Sequence, residues 1–122
     1  MADYRSITCT VNNQTNEHLF MTSCNFEHGR WDSGEPIVME SGKTATFKVC
    51  SRDSALIGVQ GFIKWKGGTD LKEFTVHFDK PYGGGETKFD PSCEDSTHYA
   101  FQLEGSKSGH DSTLTLQFYK KA

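Results

Sequence analysis

The stretch FTVHFDKPYGGGETKFDP, residues 74–91, decides between two readings of this chain. Phe74, Val76 and Phe78 alternate with Thr75, His77 and Asp79, the two-residue period of a strand with one apolar and one wet face. Pro81, Tyr82 and the glycines Gly83, Gly84 and Gly85 interrupt that period. A glycine run can cradle a phosphate, but that use needs a helix directly after it with its N-terminus aimed at the anion. Here Glu86 to Asp90 alternate like a strand. The glycines therefore join two strands and are expected to supply positive φ in a wide hairpin.

Working outward, the same period recurs. Ile7, Cys9 and Val11 alternate with Thr8 and Thr10, and Ala45, Phe47 and Val49 with Thr46 and Lys48. Tyr99, Phe101 and Leu103 form a further apolar face, as do Leu114, Leu116 and Phe118. Weaker runs cover His18 to Phe26 and Val59 to Lys66. Turn-forming clusters such as DSGEP, ESGK, KGGTD and GSKSGHDS separate these segments, and no window carries a helix-period apolar face. The expected fold is all-β: a single-domain antiparallel β-sandwich of about eight strands spanning residues 1–122.

Composition narrows the function classes. With 13 Lys and Arg against 16 Asp and Glu, the formal charge of -3 offers no field for nucleic acid. No segment reaches the ~20 apolar residues of a spanning helix, and MADYRSITCTV lacks the basic start and apolar run of a secretory leader. Synthesis in the cytoplasm without a conventional signal peptide is expected. Cys9, Cys24, Cys50 and Cys93 include no CxxC pair, so a zinc site is not expected, and the compartment argument favours buried free thiols over disulfides. No cofactor is implied. The one sequon, Asn13-Gln14-Thr15, matters only on export.

Catalytic constellations are incomplete. His77 and Asp79 share a strand face and suit a base with its orienter, or a shared metal, but no third partner lies nearby in sequence. Cys50 would need His77 or His98 beside it, and KVCSR matches no nucleophile signature; no G-x-S-x-G elbow occurs. A polar sheet face open to water accounts for His77 and Asp79 more simply. Gly58 and Gly61 in IGVQGF match a GXXG loop, yet the helices and basic surface of that RNA-binding module are missing. What remains is aromatic: Trp31 in HGRWDSG, Tyr82 in KPYGGG, Phe26 near a strand end and Trp65 before KGG. Rings beside glycines can enter a lipid headgroup region. Trp65 continues the face of Gly61 and Ile63 and reads as core.

Taken in order, VNNQT, HGRW, GVQGFIKW and VHFDKPYGGGETKFD resemble the aegerolysin family, and CSRDSALIGVQG, from Cys50 to Gly61, is similar to a C-x-R-x-x-A-x-x-G-x-x-G pattern of its fungal members. Nearly the whole chain is covered, and the chain most resembles the small component of bacterial two-protein insecticidal crystal toxins. The resemblance implies a non-enzymatic membrane-binding component that engages a target-cell lipid or receptor and acts, outside the producing cell, with a larger pore-forming partner protein. Two aromatic tips attach only weakly, so clustering into a homo-oligomer on the membrane, or a partner, is expected to supply the rest. Trp31 and Tyr82 occupy the family's aromatic positions, and with Phe26, Gly83, Gly84 and Gly85 they are the membrane-binding candidates. Some fungal members carry an acidic sphingolipid-binding residue where this chain has Ile57. A lectin-like glycan-binding module is the alternative, since rings beside Asn and Asp suit sugars, and a small hydrolase using His77, Asp79 and Cys50 is the third reading.

Overall fold

The structure, a computed structural model, describes residues 5–52, 58–68, 71–83 and 86–122. Its strands are β1 (Ser6–Gln14), β2 (Leu19–His28), β3 (Arg30–Ser33), β4 (Val38–Met39), β5 (Thr44–Cys50), β6 (Val59–Gly67), β7 (Lys72–Lys80), β8 (Lys88–Cys93), β9 (Tyr99–Ser106) and β10 (Asp111–Lys120). They form two five-stranded sheets, ordered β3-β5-β1-β10-β9 and β4-β2-β6-β7-β8. The all-β sandwich is as expected, with ten strands among the described residues rather than about eight. The extra pair, β3 and β4, have four and two residues, too short for an alternation to register.

Every described ladder but one is antiparallel. The exception corrects the sequence expectation: β1 and β10 pair in parallel, from Ser6 opposite Asp111 to Gln14 opposite Tyr119. Alternation reports which face of a strand is buried, not which neighbour it takes or in which direction. β8 continues through Pro91, which an edge strand tolerates because one side of its backbone needs no ladder donor.

The apolar faces meet in one core. Ile7, Cys9, Val11, Phe47, Val49, Phe74, Val76, Phe78, Leu114, Leu116 and Phe118 are all buried, the phase that alternation predicts. On the edge strand β9 only Tyr99 and Leu103 pack against that core, and Phe101 is left 42% exposed. Trp65 is fully buried and its indole Nε1 donates to the Pro36 carbonyl at 2.9 Å, so the ring's one polar atom is satisfied inside. Asn13 is also fully buried. Its Nδ2 donates to the carbonyls of Glu17 and Met39, both at 2.8 Å, while its Oδ1 accepts from the backbone N and the hydroxyl of Thr15. The sequon is therefore an internal knot that fastens the β1–β2 turn to β4.

Candidate functional site

Strand directions sort the loops. The start of β1 and the β2–β3, β5–β6, β7–β8 and β9–β10 connections converge on one end of the sandwich, hereafter the loop end. Backbone contacts tie them together. Ser51 N donates to the Arg5 carbonyl at 2.8 Å, and Ser6 N donates to the His110 carbonyl at 2.9 Å. Gly58 lies so close to the Lys80 carbonyl that a Cβ there would sit 1.7 Å from its oxygen. Gly61 is equally confined, with a Cβ position 2.2 Å from the Asn25 carbonyl oxygen. Both glycines of GVQG thus permit close backbone packing.

Phe26, Trp31, Tyr82 and Gly83 are all brought to this end; Gly84, Gly85 and Ile57 lie outside the described residues. Phe26 and Trp31 are half-buried and meet edge to face, centroids 5.5 Å apart at 86°. Trp31 continues onto Phe47 at 5.7 Å, and Phe26 onto Phe78 at 5.7 Å. These rings are the outer course of the core rather than free tips. A hollow of about 310 Å³ opens beside them, lined in part by His28, Arg30 and Arg52.

Tyr82 is held rather than hinged. The Arg5 guanidinium carbon lies 4.4 Å from the Tyr82 ring centroid, and Arg5 Nε donates to the Tyr82 carbonyl at 3.0 Å. Gly83 corrects the hairpin expectation: it is not among the positive-φ residues, and a Cβ there would meet nothing within 4 Å.

A larger cleft of about 630 Å³ lies between the β7–β8 and β9–β10 loops, bordered by Arg5, Lys80, Tyr82, Glu86, Lys107 and His110. Lys80 lies at its floor, only 2% exposed. Its Nζ donates to Thr87 Oγ1 at 3.1 Å and to Ser112 Oγ at 2.6 Å, and Ser112 Oγ donates onward to the Lys107 carbonyl at 3.0 Å. Burial lowers the Lys80 pKa and the Arg5 charge lowers it further, against the opposing pull of Asp111. Sequence reasoning missed this residue although the signal was present. Lys80 continues the inward phase of Phe74, Val76 and Phe78. Among the described residues the two hollows are lined by Arg5, Arg30, Arg52, Lys80 and Lys107 with Glu27 and Glu86, while Asp32 stands against Arg30 and Asp111 against Ser6 at the same end.

The hydrolase constellation is not assembled. His77 is exposed on the outer face of its sheet, 5.8 Å from Phe62, whereas Cys50 is buried at the end of β5 in the other sheet. His98 lies at the opposite end, where its Nδ1 meets Asp95 at 2.9 Å. Among the described residues no three His, Cys, Asp or Glu side chains form a metal-holding group, and no helix is long and apolar enough to cross a membrane. The four cysteines are free thiols. Burial pushes Cys9 up to about 12 and Cys93 to about 11.

No protein-family model matches the chain, and no curated protein matches it in sequence. Solved structures do match. The RahU protein, in complex with a Tris molecule, superposes with a TM-score of 0.80 at 18% identity over 97% of this chain and 96% of its own. IP-1A from Alcaligenes faecalis gives 0.76 at 17% identity over 99% and 94%. The lipid binding protein Nakanori gives 0.80 at 11% identity over 94% of this chain and 71% of its own. The ten-stranded sandwich with its crowded loop end is the aegerolysin-like fold.

Proposed function

We propose that this chain is a non-enzymatic module that binds lipid membranes through the loop end and serves a larger pore-forming partner protein. The observation that carries the reading is the convergence of Phe26, Trp31 and Tyr82 with five basic side chains at one end of a chain whose net charge is -3. A lipid binding protein with the same fold supports it. Half-buried rings offer at most about 2–3 kcal/mol each to a bilayer, so attachment by one copy is weak and reversible. Clustering into a homo-oligomer, or a second protein, would supply the remainder through avidity.

The test is co-sedimentation with phospholipid and sphingolipid vesicles, followed by dye release with and without the product of a neighbouring toxin-like gene. Binding by the module alone, with leakage only when both are present, is expected. Absence of both would sink the reading. Binding that a soluble sugar abolishes on lipid-free glycan beads would replace it with the lectin-like one.

A further inference from the structure

We propose that the cleft between the β7–β8 and β9–β10 loops is a binding site for a phosphate group, with Lys80 as its buried ligand. The proposal deepens the membrane reading by naming the headgroup chemistry, and rests on that reading only for the source of the phosphate.

Lys80 carries the argument. A lysine this deeply buried costs free energy unless an anion compensates it. Among the described residues Lys80 has no carboxylate partner; both its acceptors, Thr87 Oγ1 and Ser112 Oγ, are neutral hydroxyls. An ammonium has three N–H donors, and these acceptors take two. The nearby Asp111 carboxylate is engaged by the Ser6 hydroxyl. The cation's direct contacts are thus neutral groups, Asp111 offsets its burial only in part, and Lys80 lines a hollow large enough for a headgroup.

The surroundings fit a tetrahedral anion. Thr87, whose oxygen accepts from Lys80, keeps its own proton to donate, and Lys107 stands on the facing loop. Arg5 is fixed on the same wall by its stacking on Tyr82. Lys80, Lys107 and Arg5 thus place cationic groups on the floor and two walls of one cleft, an arrangement that suits a tetrahedral phosphate better than a planar carboxylate. Glu86 is the acidic group on the lining and opposes the site, which weakens binding of a fully ionised free phosphate more than that of a diester carrying a single charge. The lowered Lys80 pKa agrees, because desolvation beside Arg5 is the strain a bound anion relieves.

Inorganic phosphate and glycerophosphocholine are titrated into the labelled protein, with amide shifts of Thr87, Lys107 and Ser112 as the readout. Phosphatidylcholine vesicles, with and without phosphatidylglycerol, form the second arm. The wild type should respond saturably to a phosphate compound and not to equal chloride. Lys80→Met should lose at least tenfold in affinity and Lys107→Glu several-fold. If Lys80→Met does not fold, Thr87→Val takes its place with the same expectation. Vesicle binding and phosphate shifts that both survive Lys80→Met unchanged overturn the cleft while leaving the membrane reading intact. Cleft shifts with free phosphate but no vesicle binding support the cleft, assign it to a soluble phosphate compound and remove the membrane source. No cleft response to phosphate, glycerophosphocholine or vesicles overturns the proposal.

Discussion

Arg5 and Tyr82, separated by 77 positions, clamp one another: the guanidinium carbon stands 4.4 Å over the ring while its Nε donates to the Tyr82 carbonyl at 3.0 Å. Arg5, directly ahead of β1, is thereby tied to the end of β7 across the sandwich. Replacing Arg5 with Ala should cost about 1–2 kcal/mol and expose the hairpin to limited proteolysis. Lys at this position should recover little, because it lacks the planar fork that stacks and donates at once. Equal protease resistance in all three proteins would contradict the clamp.

Asn13 is the internal knot of the β1–β2 turn. Asn13→Asp keeps the size but sets a carboxylate against the Glu17 and Met39 carbonyls that now receive Nδ2 protons. A loss of roughly 3 kcal/mol or more in urea unfolding is expected. A loss below about 1 kcal/mol would mean that the turn holds without it.

Gly58 and Gly61 should be intolerant and Gly83 indifferent. Alanine at either of the first two drives a methyl into a carbonyl oxygen, whereas at Gly83 it meets open space. Melting temperature separates the cases: a drop on the order of 10 °C or more for Gly58→Ala and Gly61→Ala, little change for Gly83→Ala. A large drop for Gly83→Ala would reassign that loop.

Alkaline pH should erode stability through Cys9. Its thiol stays protonated in the fold up to about 12, while in the unfolded chain it ionises from 9.0. The unfolded state thus sheds a proton that the native state keeps, and stability falls as pH rises from 9 towards 12. At pH 10 this amounts to about 1.4 kcal/mol. Cys9→Ala should flatten the slope of unfolding free energy between pH 8 and 11; an unchanged slope would place the effect elsewhere.

Lys80 acts with the opposite sign. Its folded pKa is depressed below 10.5, so its contribution improves as pH rises towards 10.5 and is unfavourable at neutrality, where Arg5 repels it and Asp111 offsets only part of the cost. In phosphate-free buffer Lys80→Met should therefore be as stable as the wild type or more so at pH 7. Destabilisation by more than about 1 kcal/mol would show that the ammonium serves the fold itself.

The sandwich was readable because its inward residues recur every second position, as in Ile7, Cys9 and Val11 or Leu114, Leu116 and Phe118. The aromatic candidates were found because rings beside glycines stand out, and Phe26, Trp31 and Tyr82 do share one end. Their restraint was not readable: the partners of Trp31 and Tyr82 are Phe47 and Arg5, remote in sequence and outside any local pattern. Lys80 was readable in phase and passed over because a charge on an inward position conflicts with expectation. The parallel β1–β10 ladder has no local signature at all.

That ladder also gives the molecule a polarity. Because β1 and β10 run the same way, the chain enters the sandwich at the loop end and leaves it at the far end. Ser6, the first residue of β1, therefore lies beside the loop-end hollows, and Lys120, the last residue of β10, lies at the far end of the sandwich. Under the proposed membrane reading, the end of the sandwich where β10 finishes is the one turned to the aqueous phase, and a partner protein is expected to dock there.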